Sequence, residues 1–368
     1  FSPAHLANKD LKWEASMTTD IGLDLGFFDN RLNITVDAFI KDSKDLLLLQ
    51  DLSFVSGFES QWQNIGKIRN KGIELSINSV NFNRRNFFWS TDFNISFIEN
   101  TLVALQSGRD YMLAHTGFNS SFSEYDYIAI VGQPLGNMYG YVFDGVYQSS
   151  DFEMYGDGTM HLKKGVVDIS DHAGKAVQPG FVKYKDMNGD NVITPEDRTV
   201  IGNGQPDWYG GITNTFNFYG VDFSFMFQFS YGNDIYNAQR MYTTQSDLTT
   251  LNMLDEVRYR WTSSEATDLV PSATGYVRND VYSRFIEDGS FLRLKNVTLG
   301  YTLPSKWMRK VYVSRMRLYA SVQNLFCLTR YSGYDPEVSM LKSALMPGFD
   351  YGAYPKSRVF TFGIELNF

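Results

Sequence analysis

The sequence has little of what most chemistry needs. Its single cysteine, Cys327, excludes a disulfide framework and any thiolate zinc cluster. The four histidines, His5, His115, His161 and His172, fall in polar stretches with no ligand spacing between them. No GxSxG, HExxH or phosphate-binding glycine loop occurs. Carboxylates are abundant, but acids in polar loops are ordinarily solvated, so the expectation is a protein that is not an enzyme. No apolar run approaches the roughly 18–20 residues of a spanning helix, which excludes a helical membrane protein. A net charge of −8 leaves no basic footprint for nucleic acid. The opening FSPAHLANKD has neither a basic nor an apolar leader region, and no initiator Met, so a processed or partial product is expected.

What is present is aromatic and alternating. Aromatics make up 16% of the chain, with 29 Phe, 23 Tyr and 6 Trp, which excludes disorder. From Leu32 to Lys41, Leu32, Ile34, Val36, Ala38 and Ile40 share one face; Asn33, Thr35, Asp37, Phe39 and Lys41 share the other. Successive strand side chains point to opposite sides, so this segment is a strand with one greasy and one wet face. The same reading predicts nine strands, near 19–27, 32–41, 70–80, 87–98, 208–218, 221–231, 290–302, 313–325 and 358–368. Most are longer than the usual strand of about 5–6 residues and suit the roughly 9–11 that cross a bilayer at a tilt. The fold class expected is therefore all-β: a transmembrane antiparallel β-barrel with long extracellular loops.

The connections support this. Phe28–Arg31, Asn81–Asn86, Tyr219-Gly220 and Leu303–Tyr312 are short, whereas 42–69, 99–207, 232–289 and 326–357 are long and polar. Outer-membrane barrels have short periplasmic turns on one rim and long extracellular loops on the other. On that parity the C-terminus is periplasmic and Phe1 lies outside. The expected division is 1–98, strands with one loop; 99–207, a large extracellular region with its own small β structure around Val142–Tyr147; and 208–368, the C-terminal strands. An odd strand count makes the first and last strands parallel, so nine strands do not close a wall, and an open edge in lipid is not tolerated. Further N-terminal strands are expected, on this chain's precursor or on a separate chain. Phe27, Phe28, Phe87, Phe88, Trp89, Phe216, Phe218, Tyr219, Tyr301 and Trp307 gather near the short turns, as a periplasmic aromatic girdle would. Asp24, Asp37, Glu74 and Asp92 fall on the wet face, giving a hydrophilic lumen.

Several motifs carry a resemblance. Leu11–Glu14, Gly26–Arg31, Asn64–Glu74, Asp186–Asp190, Phe291–Tyr301, Gln323–Phe326, Tyr331–Glu337 and Tyr354-Pro355 through Phe368 together resemble the C-terminal barrel portion of SusC-like TonB-dependent outer-membrane transporters. The resemblance runs from end to end. It implies a barrel of about 22 strands with a plug in its lumen, a SusD-like surface lipoprotein as lid, and a TonB complex acting on the plug. It also implies import of oligosaccharides or, in some members, peptides. The plug and the earlier strands are missing from this sequence, which is consistent with a nick or an encoded split.

The strongest local motif is Asp186, Asn188, Asp190, Val192, Thr194 and Asp197, at the 1, 3, 5, 7, 9, 12 spacing of a calcium loop. Oxygen ligands at that spacing suit structural Ca2+, with Val192 offering its carbonyl; a polar turn without metal is the plainer reading. Asn191 stands in the usual glycine position. The last strand alternates to the terminal Phe368, resembling the C-terminal signal read during outer-membrane assembly. Trp208, Tyr209, Tyr236, Tyr242, Trp261 and Tyr276 are weak candidates for substrate contacts, because aromatic faces bind sugars; for any single one an outer-girdle or loop-core role is the stronger expectation. Arg258, Arg260 and Arg278 are expected to pair with acidic loops. The function expected is the barrel part of a nutrient importer in outer-membrane lipid. A soluble β-rich carbohydrate-binding or adhesive protein is the rival reading, and would hide the greasy face in a sandwich.

Overall fold

The computed structural model describes residues 5–51, 54–58, 60–64, 66–105, 108–118, 124–156, 158–245, 252–277, 279–308, 312–341 and 343–368. Nine long strands form one antiparallel sheet in strict chain order: β1 (Ala15–Phe27), β2 (Leu32–Lys44), β3 (Gly66–Arg84), β4 (Phe87–Leu105), β5 (Trp208–Phe218), β6 (Val221–Tyr231), β7 (Phe291–Thr302), β8 (Arg315–Thr329) and β9 (Val359–Asn367). The alternation of each strand is kept in register with the next. Leu25, Ile34, Ile77, Phe93, Ile212, Phe227, Leu294 and Phe326 form a continuous row across eight strands. Phe225, Val297, Val322 and Phe360 carry the apolar face to the ninth. One residue away, on the opposite face, the row reads Asp24, Thr35, Ser76, Asn94, Gly211, Gln228, Arg293 and Cys327.

The greasy face is not covered by protein. Ile21 is 74% exposed, Ile73 54%, Leu299 53% and Phe362 79%. Leu32, Phe225 and Phe362 belong to no buried cluster among the described residues. From Leu32 to Ile40 the apolar stripe of β2 spans eight steps of about 3.4 Å, or roughly 20 Å of height at a 35–45° tilt. That is close to the roughly 25 Å apolar band of an outer-membrane barrel. The first and last strands each have one neighbour, so the described sheet is open, as the odd count requires.

The short connections lie on one rim. At the β5–β6 turn Tyr219 (φ 48°) and Gly220 (φ 86°) take the left-handed pair that suits a two-residue hairpin. Residues 81–84, expected as turn, are strand: β3 runs to Arg84, and a bulge between Val80 and Phe82 absorbs the break in alternation. β4 likewise continues to Leu105, seven residues past the expected boundary at 98. Most of the girdle faces outward at this rim, in a ribbon of rings: Phe82–Trp89 at 5.8 Å, Trp89–Phe216 at 5.5 Å and Phe216–Phe223 at 6.1 Å. Phe88 is the exception; it opposes Asn83 and Asn217 on the polar face.

The buried core sits at the other rim, among the long connections. Tyr127, Met138, Tyr147, Tyr184, Tyr236, Tyr282, Phe285 and Phe349, from well-separated segments, form one cluster. Around them lie a four-stranded sheet (Tyr111–Ala114, Tyr127–Ile130, Asn137–Gly140, Thr199–Asn203), a pair joining Phe143–Val146 to Val182–Tyr184, and a three-stranded sheet of Asp234–Asn237, Ile286–Asp288 and Phe349–Asp350. The β structure expected at 142–147 is thus present. The core is dry loop, and the wall is greasy toward the outside.

A charge placed on each face tests the assignment. In lipid bilayers, Leu75→Arg at mid-height on the apolar face is expected to cost about 2–4 kcal/mol of folding stability in a urea titration, and Ser76→Arg on the polar face about 0.5 kcal/mol.

Candidate ligand-facing loop assembly and lumen

The polar face is hydrogen-bonded along the wall. The Thr35 hydroxyl donates to Asp24 at 2.6 Å, Asn78 to Asp92 at 2.8 Å and Ser96 to Glu74 at 3.2 Å. Arg317 Nε donates to Asp222 at 2.9 Å near the short-turn rim. Asp37 lies opposite Glu74 on the same face, so all four acids expected to line a lumen do share one surface.

The long loops are tied to this wall by buried charge. Arg293 on β7, 4% exposed, pairs with Asp335 at 2.6 Å and with Glu337 at 2.8 Å. Lys356 closes on Glu337 at 2.7 Å, and the Tyr331 hydroxyl donates to Asp350 at 2.5 Å. These contacts fold the Tyr331–Glu337 motif back onto the wall. A second network joins Arg240 to Glu256 (2.7 Å) and Glu287 (3.1 Å), and Arg284 to Glu256 (3.0 Å). Burial disfavours the Glu256 charge, but Arg240 and Arg284 outweigh it and hold the carboxyl below its usual range. The arginines singled out from sequence do less: Arg258 pairs with Asp255 on the surface and Arg260 donates to the Val257 carbonyl, while Arg278 lies outside the described residues. Sequence spacing holds no signal for Arg240, Arg284 or Arg293, because their partners are 16 to 47 residues away.

His172 meets Asp280 at 2.8 Å, and Tyr184 donates to the same oxygen at 2.9 Å. Burial opposes charge on this imidazole, but Asp280 prevails and its pKa is raised. Burial pushes the Asp126 carboxyl up to about 7, against the N–H and hydroxyl of Thr116.

The candidate calcium loop is held by its own groups. Asp186 accepts from Asn191 N (2.7 Å), Gly189 N (2.6 Å) and Asn188 N (3.1 Å), which hold its carboxyl below the usual range. Asn191 takes the left-handed conformation (φ 65°) expected of it. Asp190 accepts from Val192 N, and Asn188 donates to Asp190. Asp197 is fully buried and points into the fold, where it accepts from Met187 N (2.9 Å) and Thr194 N (2.8 Å). Among the described residues no three His, Cys, Asp or Glu side chains converge as a metal cage would need. The calcium expectation therefore rests on sequence spacing alone.

The aromatic candidates separate. Trp208 is on the outward face, stacked on Tyr231 at 5.0 Å, and Tyr209 is on the polar face, 41% exposed. Tyr236 and Tyr276 are buried. The Trp261 indole donates to Gln148 at 3.1 Å. Half-buried Tyr242 meets Tyr351 at 5.9 Å, which packs on Phe118 at 4.7 Å. Phe118 and Tyr351 escaped the sequence reading because they come from different loops. Phe368 follows β9 on the apolar face, 89% exposed.

The family described as TonB dependent receptor-like, beta-barrel matches residues 2–325. The chain belongs to that family. This TonB-dependent receptor barrel is 35% identical over 98% of its length to TonB-dependent receptor P3 of Formosa agariphila, covering 35% of that protein. It is 30% identical over 98% of its length to TonB-dependent receptor SusC of Bacteroides thetaiotaomicron, covering 32% of it. The RagAB peptide transporter has the same fold, with a TM-score of 0.77 at 23% identity over 98% of this chain and 36% of that one. The chain thus spans about a third of the length of the relatives it matches. The SusC-like resemblance of the motifs is borne out, and so is the transmembrane barrel. These relatives are receptors and transporters rather than enzymes, and the family is an outer-membrane one. The soluble sandwich reading fails on the same findings and on the uncovered greasy face.

Asp197→Ala leaves the Met187 and Thr194 N–H groups, both part-buried, without their acceptor and is expected to lower local stability of residues 186–197 by about 1–2 kcal/mol, read by hydrogen exchange. The same measurement with millimolar calcium tests the ion: added protection of Asn188–Asn191 supports a bound cation, and unchanged exchange contradicts it.

Proposed function

We propose that this chain is the wall and loop assembly of a TonB-dependent outer-membrane importer of oligosaccharides that works beneath a SusD-like surface lipoprotein. The short-turn rim and C-terminus face the periplasm, and the long loops face outside. A plug, on sequence beyond this chain, would fill the lumen and answer to TonB. The observation that carries this reading is a wall greasy outside and hydrogen-bonded inside, capped on one rim only by an ordered loop core. Such a core offers a fixed surface for a lid and for substrate. Half-buried Phe118, Tyr242 and Tyr351 supply ring faces of the kind that stack on sugars.

A peptide substrate is the second reading. A 560 Å³ cavity lined by Arg240, Glu256, Glu287, Asp288 and Arg330 presents charges of both signs, which suits a zwitterionic chain. The shared fold with RagAB, a peptide transporter, fits this reading as well.

The test is uptake by cells carrying the full-length transporter as their one route for the labelled substrate. Tyr242→Ala with Tyr351→Ala is expected to lower oligosaccharide uptake about tenfold, about 1.4 kcal/mol, and to leave peptide uptake unchanged. Loss of peptide uptake in Arg330→Ala, with sugar uptake absent throughout, would establish the second reading instead.

A further inference from the structure

The greasy face ends abruptly on three neighbouring strands. Rising from the short-turn rim, the outward residues of β3 are Ile77, Leu75 and Ile73, followed by Lys71, Arg69 and Lys67. On β2 the order is Ile34, Val36, Ala38 and Ile40, then Asp42 and Lys44. On β4 Phe93, Ile95 and Phe97 give way to Glu99. On β5 and β6 the outward series ends at the level of Phe97, on Trp208 and Tyr231, without reaching a charged step.

The charges are organised. Asp42 receives Arg69 through two N–H groups, at 2.8 and 2.9 Å, and Lys67 at 3.1 Å. Lys71 pairs with Glu99 at 3.0 Å. Asp42 sits at the wall, 14% exposed, while Arg69 reaches past it at 45%; Lys71 and Glu99 are both exposed, at 53% and 65%. Four bases (Lys44, Lys67, Arg69, Lys71) against two acids (Asp42, Glu99) leave a net charge of +2. Asp42 occupies two of the five guanidinium donors of Arg69, so the others remain for an external acceptor. Ile40, Ile73 and Phe97, all about half exposed, lie directly beneath.

We propose that Lys44, Lys67, Arg69 and Lys71 dock the phosphate-bearing headgroup of an outer-leaflet lipid. One surface then engages both parts of the molecule. The stripe below contacts the acyl chains, and the basic step above meets the phosphate, with Arg69 held in the fork geometry that suits its oxygens. The assignment of leaflet rests on the reading above that the loop rim faces outside.

The experiment titrates the full-length transporter in detergent with bis-phosphorylated lipid A, dephosphorylated lipid A, phosphatidylglycerol and inorganic phosphate, read by native mass spectrometry. Bis-phosphorylated lipid A is expected to bind at least tenfold tighter than its dephosphorylated form. The triple variant K67Q/R69Q/K71Q is expected to remove that difference, and Arg69→Lys, which keeps the charge but loses the fork, to reduce it. Equal binding of the two lipid A forms to the unmutated protein would overturn the proposal, whether or not the triple variant folds. Tight inorganic phosphate binding without lipid preference would overturn it too. Lys164→Cys in a Cys327→Ser background, labelled on intact cells by an impermeant maleimide, checks the orientation separately. Labelling on intact cells supports the outer leaflet; labelling only after lysis overturns the orientation reading and, with it, this assignment.

Discussion

Everything in this molecule depends on one register. Side chains alternate along a strand, so a slip of one residue between neighbours would mix greasy and wet faces. No such mixing occurs across the nine strands. Where the pairing slips, at Lys67–Ile68, Val80–Phe82, Met226–Phe227 and Leu294–Asn296, a bulge absorbs the shift and the ladder returns to phase. The result is a surface with hydrocarbon chemistry on one side and hydrogen-bonding chemistry on the other. A sheet of that kind leaves two outcomes: burial against a second protein layer or contact with lipid. Exposure of Ile21, Ile73 and Phe362 selects the second.

The wall was legible because its physics is local. Strands β5 and β6 begin and end where the alternation does, and Tyr219-Gly220 marks their turn from sequence alone. The loop-rim ends of β3 and β4 were not legible, since their extra ladder stands above the apolar band and is stabilised by the two strands pairing with each other rather than by lipid. Asn214 shows the limit within the wall. It breaks the apolar series on β5, yet it is nearly buried, because Trp89 Nε1 and the Thr91 hydroxyl donate to its carbonyl from the next strand. No single strand carries that information.

The loop rim was the least legible part. Tyr236 and Tyr276 look like binding residues by composition and are core by position, since loop burial is decided by which distant segments meet. Asp197 matched the last ligand of a calcium loop by spacing, and in the structure it receives backbone N–H groups as a buried cap. Conversely, the Arg293 clasp and the Arg240–Glu256–Arg284 network organise the loops without any sequence motif of their own. These ties give the long connections a fixed shape over the wall. A mobile fringe would present no fixed surface, so it is the ordered loops that the proposed function depends on.

The most direct test of the account asks what medium touches each face. Single cysteines at positions 73 to 78 and at 225, in a Cys327→Ser background, can be spin-labelled in the full-length transporter in bilayers. The account predicts high collision with oxygen and low collision with a water-soluble nickel complex at 73, 75, 77 and 225, and less oxygen with more nickel access at 74, 76 and 78. Uniformly low access to both quenchers at 73, 75, 77 and 225 would mean a protein layer covers the greasy face, and would contradict it.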